Sequence, residues 1–200
     1  TGFNEAFIID TETRNRILDN CKTEEERKRT EEIIKPVLRG RDIEKWRYKW
    51  ARLWLIKIEA GWTNKNRGKE EPEEFFKKMF PSLYNHLISF SDIKAKGKGL
   101  FNRDDQGDYW WELRYCDYYP EFEKEKIVWQ HVSGRYPFAY VNGGYYLTNA
   151  LFMITHKYNN LTELKLILAI LNSKMGDYLL LNFTRLSTLG KYAYGAKDAM

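Results

Sequence analysis

The sequence predicts an α+β fold, with a twisted, mainly antiparallel sheet, helices on one side of it and a helical segment at the C-terminal end. Helical patterns that begin at a cap or a proline alternate along the chain with short runs of alternating or β-branched apolar residues. The last long pattern, residues 161–183, carries leucine and isoleucine at helical spacing. Helices and antiparallel strands in mixed order are typical of α+β domains.

The first third of the chain predicts two strands and one surface helix. EAFIID, Glu5 to Asp10, and ARLWLIKIEA, residues 51–60, have apolar patterns that favour strands. Between them, TEEERKRTEEII has Thr23 as an N-cap and Glu26 three residues later, which is a capping box. Pro36 cannot continue this helix.

The middle of the chain predicts a polar loop, two helices and four strands. Residues 61–72 are the loop, and Pro72 and Pro81 begin helices over residues 73–80 and 82–97. The predicted strands are residues 108–116, 126–133, 137–141 and 145–155. An Asn-Gly turn in VNGGYY predicts that the last two form a hairpin.

The C-terminal region predicts one continuous helix. In residues 161–183 the apolar face contains Leu164, Ile167, Leu168, Leu171 and Met175, and the tail 184–200 is irregular. We therefore divide the chain into a mixed α+β domain, residues 1–158, and a truncated helical segment, residues 159–200.

Composition narrows the class of protein. The chain has 200 residues, of which 43% are hydrophobic and 30% charged, as in a globular domain. No apolar run approaches the roughly 18 residues of a membrane span, so we expect no membrane partner. Cys21 and Cys116 are distant in sequence and predict free thiols in a reducing, cytoplasmic compartment. The chain begins without an initiator methionine, so we expect it to be part of a longer protein.

Positive charge is concentrated in one segment. Residues 35–70 contain 11 basic and 4 acidic residues, a net charge of +7, whereas the whole chain carries +5. Such a concentration favours an anionic partner, because phosphate contacts supply most of the sequence-independent affinity for nucleic acids. The alternative is a solvated face on an ordinary basic protein.

The sequence predicts no catalytic residue and no metal site, so we expect that this chain is not itself an enzyme. His86, His131 and His156 lack the spacing of metal ligands, and the acidic loop from Asp104 to Asp108 does not match an EF-hand. Glu163 and Lys165 have the letters of a nuclease motif without a partner aspartate nearby in sequence. The N-P-P-Y loop of amino-methyltransferases and the G-x-S-x-G elbow are both absent.

Recognition remains the best-supported class of function. Arginine and glutamine pair with base edges, and lysine binds phosphates. Residues of these types on predicted loops are the candidate DNA-binding residues: Arg39, Arg41, Lys45, Arg47, Lys96, Lys98, Arg103, Gln130, Arg135 and Lys191. Each of them singly is also compatible with a solvated or ion-paired surface residue.

The stretch LRGRDIEKW, Leu38 to Trp46, has two interpretations. It is either a turn held by its own ion pairs or a basic tip that contacts an acidic partner. We expect Leu38 and Ile43 to be core anchors and Gly40 to permit a turn that a bulkier residue does not. Asp42 can pair with either arginine.

Seven stretches together resemble the TaqI-like C-terminal specificity domain. They are TGFNEAFIID, EEIIKPVLRGRDIEKW, RLWLIKI, DYWWELRYC, KIVWQHVS, YYLTNALFMIT and LILAILNSKM. This family occurs in type IIG restriction–modification enzymes and related adenine-N6 DNA methyltransferases. The resemblance implies that residues 1–158 are a double-stranded DNA target recognition domain and residues 159–200 a spacer-like helical segment. It also implies a methyltransferase domain N-terminal to them in the same full-length protein and, in many members, an endonuclease domain.

The resemblance also bears on cofactors and on individual residues. It implies no cofactor in this chain, S-adenosylmethionine in the full-length enzyme, and Mg²⁺ as a second candidate there. It supplies no base-contacting residues, because recognition loops differ between members that read different sites. LRGRDIEKW is shared within the family, so the resemblance favours a structured turn that presents its arginines to the DNA backbone, with base reading done by later loops. Two other classes stay open: a protein–protein interaction module without DNA contact of its own, and a catalytic fragment.

Overall fold

The fold is described from a computed structural model that covers residues 2–95, 98–131 and 137–183. The predicted tail and the candidate residues Lys96, Arg135 and Lys191 lie outside these described residues. The chain divides into two compact units. The first contains the described residues up to Pro36 together with Arg52–Asp117, and the second contains Val37–Ala51 and the described residues from Tyr118 onward.

The described residues form eight α-helices and nine short strands. The helices are α1 Asn4–Phe7, α2 Thr11–Asp19, α3 Glu24–Ile33, α4 Trp62–Asn66, α5 Pro72–Met79, α6 Pro81–Ile88, α7 Leu161–Leu171 and α8 Lys174–Phe183. The strands are β1 Ile8–Asp10, β2 Ile34–Leu38, β3 Leu53–Ile56, β4 Lys94–Ala95, β5 Lys98–Gly99, β6 Lys126–Gln130, β7 Ala139–Val141, β8 Tyr146–Leu147 and β9 Leu151–Thr155. The predicted α+β class is confirmed.

The helices of the first unit pack around strands β1 and β3, which pair antiparallel with Ile9 opposite Trp54. As predicted, Thr23 caps α3 by accepting a hydrogen bond from the backbone N–H of Glu26. The Glu26 carboxylate, however, bonds to the N–H groups of Lys22 and Ser82, so the helix start is fixed by a tertiary contact as well.

Several boundaries in the first unit differ from the sequence expectation. Residues 5–7 of the expected first strand belong to α1, and α2 was not expected at all. The expected 61–72 loop contains α4, and α6 ends at Ile88 rather than at residue 97. These segments are short and only partly buried, so their apolar pattern does not distinguish a helix from a strand.

Residues 108–116 do not form the predicted strand. The Glu112 side chain is buried, and its carboxylate accepts hydrogen bonds from the backbone N–H groups of Gly61, Thr63 and Asp108. Trp111 stacks on Phe76 at 5.0 Å between ring centroids. Aromatic packing and a buried carboxylate therefore hold this segment as a turn, although its alternating pattern resembles that of a strand.

In the second unit β6 is the central strand of a three-stranded sheet with the order β7-β6-β9. Both neighbours are antiparallel to β6, with Ile127 opposite Tyr140 and Ile154. The predicted hairpin of residues 137–141 and 145–155 is wrong, because β9 pairs with β6 and β8 pairs in parallel with the end of β2. A turn motif fixes the local bend but not the partner of the strand that follows it.

The two faces of this sheet bury different clusters. On one face Val128, Ala139, Val141 and Leu151 pack with Leu38 and Ile43, so the two expected anchors are confirmed. On the other face Ile127 and Phe138 pack against Leu164 and Leu168, which lie on α7. The three-stranded sheet therefore packs against the LRGRDI segment, residues 38–43, with one face and against α7 with the other.

The expected long C-terminal helix is two helices. Asn172 ends α7, and its buried side chain bonds to both the N–H and the C=O of Phe138. Met175, expected on the apolar face, is exposed on α8. No helix among the described residues is long and apolar enough to cross a membrane.

Candidate nucleic-acid interface

The LRGRDI segment is a structured turn anchored in the second unit. After β2, Gly40–Asp42 form one turn of 3₁₀ helix, and the Asp42 carboxylate is buried. It accepts hydrogen bonds from the Arg39 backbone N–H at 2.8 Å and from Arg39 Nε and Nη2 at 3.2 and 2.9 Å. The ambiguity over which arginine pairs with Asp42 is therefore resolved in favour of Arg39.

Gln130 holds the same turn from β6. Its side-chain Nε2 donates to the Gly40 carbonyl at 2.8 Å. The sequence selected Gln130 as a base-reading residue, and the structure brings it next to the two arginines, but with one of its donor hydrogens bonded to the turn.

Gly40 does not have the role expected from the sequence. Its φ is not in the left-handed region, and a Cβ placed on it meets Ala150 Cβ at 3.7 Å, which is ordinary contact. The turn is held by Asp42 and Gln130 rather than by the conformational freedom of glycine.

The chain then makes a tight turn that projects cations. Ile43 and Tyr48 form an antiparallel bridge, and the Glu44 N–H donates to the Arg47 carbonyl at 2.9 Å. Lys45 and Trp46 therefore lie at the turn. We call the exposed side chains of this segment the basic tip; they are Arg41, Lys45, Trp46, Arg47 and Lys49.

The cations of the basic tip are weakly engaged. Arg41 has no side-chain partner among the described residues. Arg47, whose side chain is 79% exposed, pairs with Glu44, and Lys45 lies 3.9 Å from Asp177. Exposed pairs of this kind are worth about 0–1 kcal/mol, so these cations are available to an anionic partner at little cost.

The base of the tip is packed by aromatic rings. Tyr48 and Trp50 both contact Tyr145 edge to face, at 5.0 and 5.7 Å between ring centroids. Burial raises the pKa of the Tyr48 phenol to about 12 from an ordinary value of 10, at which it is already neutral at physiological pH. The charge of the tip thus comes from its lysines and arginines alone.

Arg103 is not at the surface, contrary to the sequence expectation. It lies in the first unit, is 3% exposed, and donates to the carbonyls of Asp105 and Trp110 at 2.8 and 3.1 Å and to that of Glu112. Burial lowers the pKa of its guanidinium to about 10. A buried arginine bonded to backbone carbonyls organises a loop, and we leave it out of the proposed contact set. Lys98 lies on β5, and its side chain is not among those described.

Sequence reasoning did not select Lys49 and Trp46 as site residues. Both belong to the basic segment, and the signal for Lys49 was its charge within the 35–70 run. Nothing in the pattern distinguished Trp46 from the other tryptophans, because its exposure follows from the tertiary position of the turn.

No group of three or more His, Cys, Asp or Glu side chains that could hold a metal occurs in the described ranges. Cys21 and Cys116 are free thiols. Burial raises the pKa of the Cys21 thiol, which keeps it in its unreactive protonated form.

The fold and the tip together define a class: an α+β domain with a rigid, cation-bearing turn suited to an acidic surface. The family model of the TaqI-like C-terminal specificity domain matches residues 35–190. This chain belongs to that family, and the resemblance read from the sequence is confirmed.

Other comparisons add little. No curated protein matches the chain. Among solved structures it is similar to a chain in "Structure of Type IIL restriction-modification enzyme MmeI in complex with DNA has implications for engineering of new specificities", at 12% identity and a TM-score of 0.38. The match covers 75% of this chain and 17% of that chain, and at this score it carries no weight for fold or function.

Proposed function

We propose that this chain is the double-stranded DNA target recognition domain of a restriction–modification enzyme of type IIG. In this proposal it holds and reads the site while an adenine-N6 methyltransferase domain of the same protein, using S-adenosylmethionine, modifies it. The observation that carries the proposal is the basic tip, in a chain that belongs to a specificity-domain family.

The contacts divide into two kinds. Arg41, Lys45, Arg47 and Lys49 are exposed cations on one short segment and bind backbone phosphates. Arg39 and Gln130 hold the turn that carries Arg41. We call the four phosphate-binding cations the phosphate clamp. Base reading then requires other residues.

Salt dependence of DNA binding tests the phosphate clamp. Affinity of the 200-residue chain for a labelled duplex, measured by fluorescence anisotropy between 50 and 200 mM salt, falls with a log–log slope of about −0.9 per phosphate neutralised. We expect the Arg41→Ala/Arg47→Ala variant to bind more weakly and to reduce this slope by about 2.

The matched control removes the same charge elsewhere. Lys22 and Lys28 are exposed residues of the first unit, and the Lys22→Ala/Lys28→Ala variant should leave the slope nearly unchanged. If both double variants lower the slope equally, the tip contributes only its positive charge and no specific phosphate contacts. Absence of binding to any duplex at 50 mM salt would refute the proposal.

A protein–protein interaction module is the second candidate. Six large apolar or aromatic side chains on α7 and α8 are exposed: Leu161, Leu166, Ile170, Met175, Tyr178 and Leu179. An apolar interface of this kind is insensitive to salt, so the same titration separates it from phosphate binding. The parent enzyme is tested by the residues encoded upstream of Thr1, where the proposal requires an N-P-P-Y loop.

A further inference from the structure

Trp46 stands at the turn of the basic tip in a backbone conformation that tryptophan rarely adopts. Its φ is +77°, in the left-handed region that favours glycine or asparagine. The conformation is imposed by β7: the Trp46 N–H donates to the Phe138 carbonyl at 2.9 Å, and the Trp46 carbonyl accepts from the Tyr140 N–H. The direction of the Cα–Cβ bond of Trp46 is therefore fixed, because both its N–H and its carbonyl are bonded to residues 138–140.

Burial does not account for a tryptophan at this position either. The residue is 49% exposed, and its ring contacts no other aromatic ring among the described residues. Backbone preference and solvation both disfavour a large apolar side chain here. Strain of this kind in an ordered segment is frequent at binding sites.

The neighbours of Trp46 determine what an occupant of the site must look like. Lys45 and Arg47 flank it directly, and Arg41 and Lys49 lie on the same segment. A flat apolar ring between cations matches a ligand that alternates flat rings with negative charges. A nucleic-acid strand has this chemistry, because aromatic side chains stack on bases while neighbouring cations bind phosphates.

We propose that the indole of Trp46 stacks on a nucleobase of the bound duplex, inserted at a base step that the contact partly unstacks, while the adjacent cations hold the phosphates. This inference rests on the proposed function and deepens it, because it assigns a base-contacting residue that charge alone does not identify. Trp46 then supplies a part of the affinity that does not depend on salt.

The test measures affinity and salt slope together for four proteins: wild type, Trp46→Ala, Trp46→Phe and Trp46→Leu. We expect Ala and Leu to weaken duplex binding roughly tenfold with an unchanged slope, and Phe to restore most of it. Tyr118, also 49% exposed and in the same unit, provides the control Tyr118→Ala, which should bind like wild type.

The outcomes separate the two proposals. If Trp46→Ala binds like wild type while Arg41→Ala/Arg47→Ala still lowers the slope, the stacking contact is refuted and the phosphate clamp stands. Equal recovery by Leu and Phe excludes stacking, since leucine is apolar without a flat ring. If Trp46→Ala does not fold, the duplex affinities of Trp46→Phe and Trp46→Leu decide whether the indole stacks on a base. If wild type binds no duplex, both proposals fail.

Discussion

Arg39 and Arg41 flank a single glycine, yet their guanidinium groups have different surroundings. Arg39 bonds twice to the buried Asp42 carboxylate, whereas Arg41 is exposed without a side-chain partner in the described part of the chain. A charge-assisted pair with a buried carboxylate stabilises the fold, while a solvated cation does not. The interpretation as a turn held by its own ion pair is therefore confirmed for Arg39, and contact of Arg41 with an acidic partner stays a prediction.

Single alanine variants separate these roles. We expect Arg39→Ala to lower the free energy of unfolding by about 1–3 kcal/mol, because Asp42 keeps its burial and loses its pairing with the guanidinium. Arg41→Ala should change stability by less than about 0.5 kcal/mol and weaken DNA binding. Urea unfolding and anisotropy check both. A similar loss of stability in the two variants would contradict the division.

At the scale of elements, β6 is fixed at its first residue by a buried lysine. Lys126 is fully buried, and its Nζ donates to the carbonyls of Phe122, Lys124 and Asn142 at 2.8, 2.7 and 3.2 Å. These carbonyls lie on the segments on either side of the strand pair. One ammonium group therefore joins the entry of β6 to the turn after β7.

Lys126 makes stability depend on pH. Burial lowers its pKa to about 8 from the ordinary 10.5, so the unfolded chain binds the proton more tightly than the folded one. The contribution of this group to stability is fully present above pH 10.5 and is lost as pH falls through 8.

The Lys126→Met variant measures this contribution. It leaves three carbonyls without a donor and should cost about 1–3 kcal/mol near pH 7. The difference in unfolding free energy between wild type and variant should grow as pH rises from 8 to 10.5. The same substitution at exposed Lys78 is the control. Parallel stability curves for wild type and Lys126→Met would show that burial does not perturb this lysine.

Segment 108–116 shows how an element can be misjudged from its pattern. Its alternating apolar residues are compatible with a strand, but within the segment the Asp108 N–H bonds to the Glu112 carboxylate and the Glu112 N–H to the Tyr109 carbonyl, so the backbone closes a turn. A carboxylate can replace a β-ladder as the partner of buried backbone donors. Sequence periodicity reports which side chains are buried, not which acceptor the backbone finds.

At the scale of the whole molecule, positive charge is concentrated in one segment. The chain carries +5 with its excess in residues 35–70, and its sequence lacks the motifs of a methyltransferase or nuclease. This charge distribution is compatible with the proposed binding of DNA.

Titration with S-adenosylmethionine tests whether this chain binds the methyl donor of the proposed enzyme. We expect no saturable heat of binding and no shift in melting temperature for the 200-residue chain, because its sequence lacks the methyltransferase motif. A tight ligand of the folded state would raise the melting temperature by mass action. A dilution of the same ligand into buffer is the control. Saturable binding would instead favour a catalytic fragment.

The sequence by itself determined the α+β class, the family, the basic segment and the core anchors Leu38 and Ile43. These follow from local composition, short-range pattern and a set of shared stretches. Helix caps at Thr23, Pro72 and Pro81 are equally local, because their hydrogen bonds or fixed φ involve neighbours in the chain.

Only the tertiary structure decided which arginine is exposed, which strand pairs with which, and where Trp46 stands. Asp42 pairs with Arg39 because the turn is held against β6 by Gln130, and Trp46 is exposed because β7 fixes its backbone. The Gln130–Gly40 and Trp46–Phe138 hydrogen bonds join residues about 90 positions apart. Their energies depend on burial and on the meeting of distant segments, which no local pattern encodes.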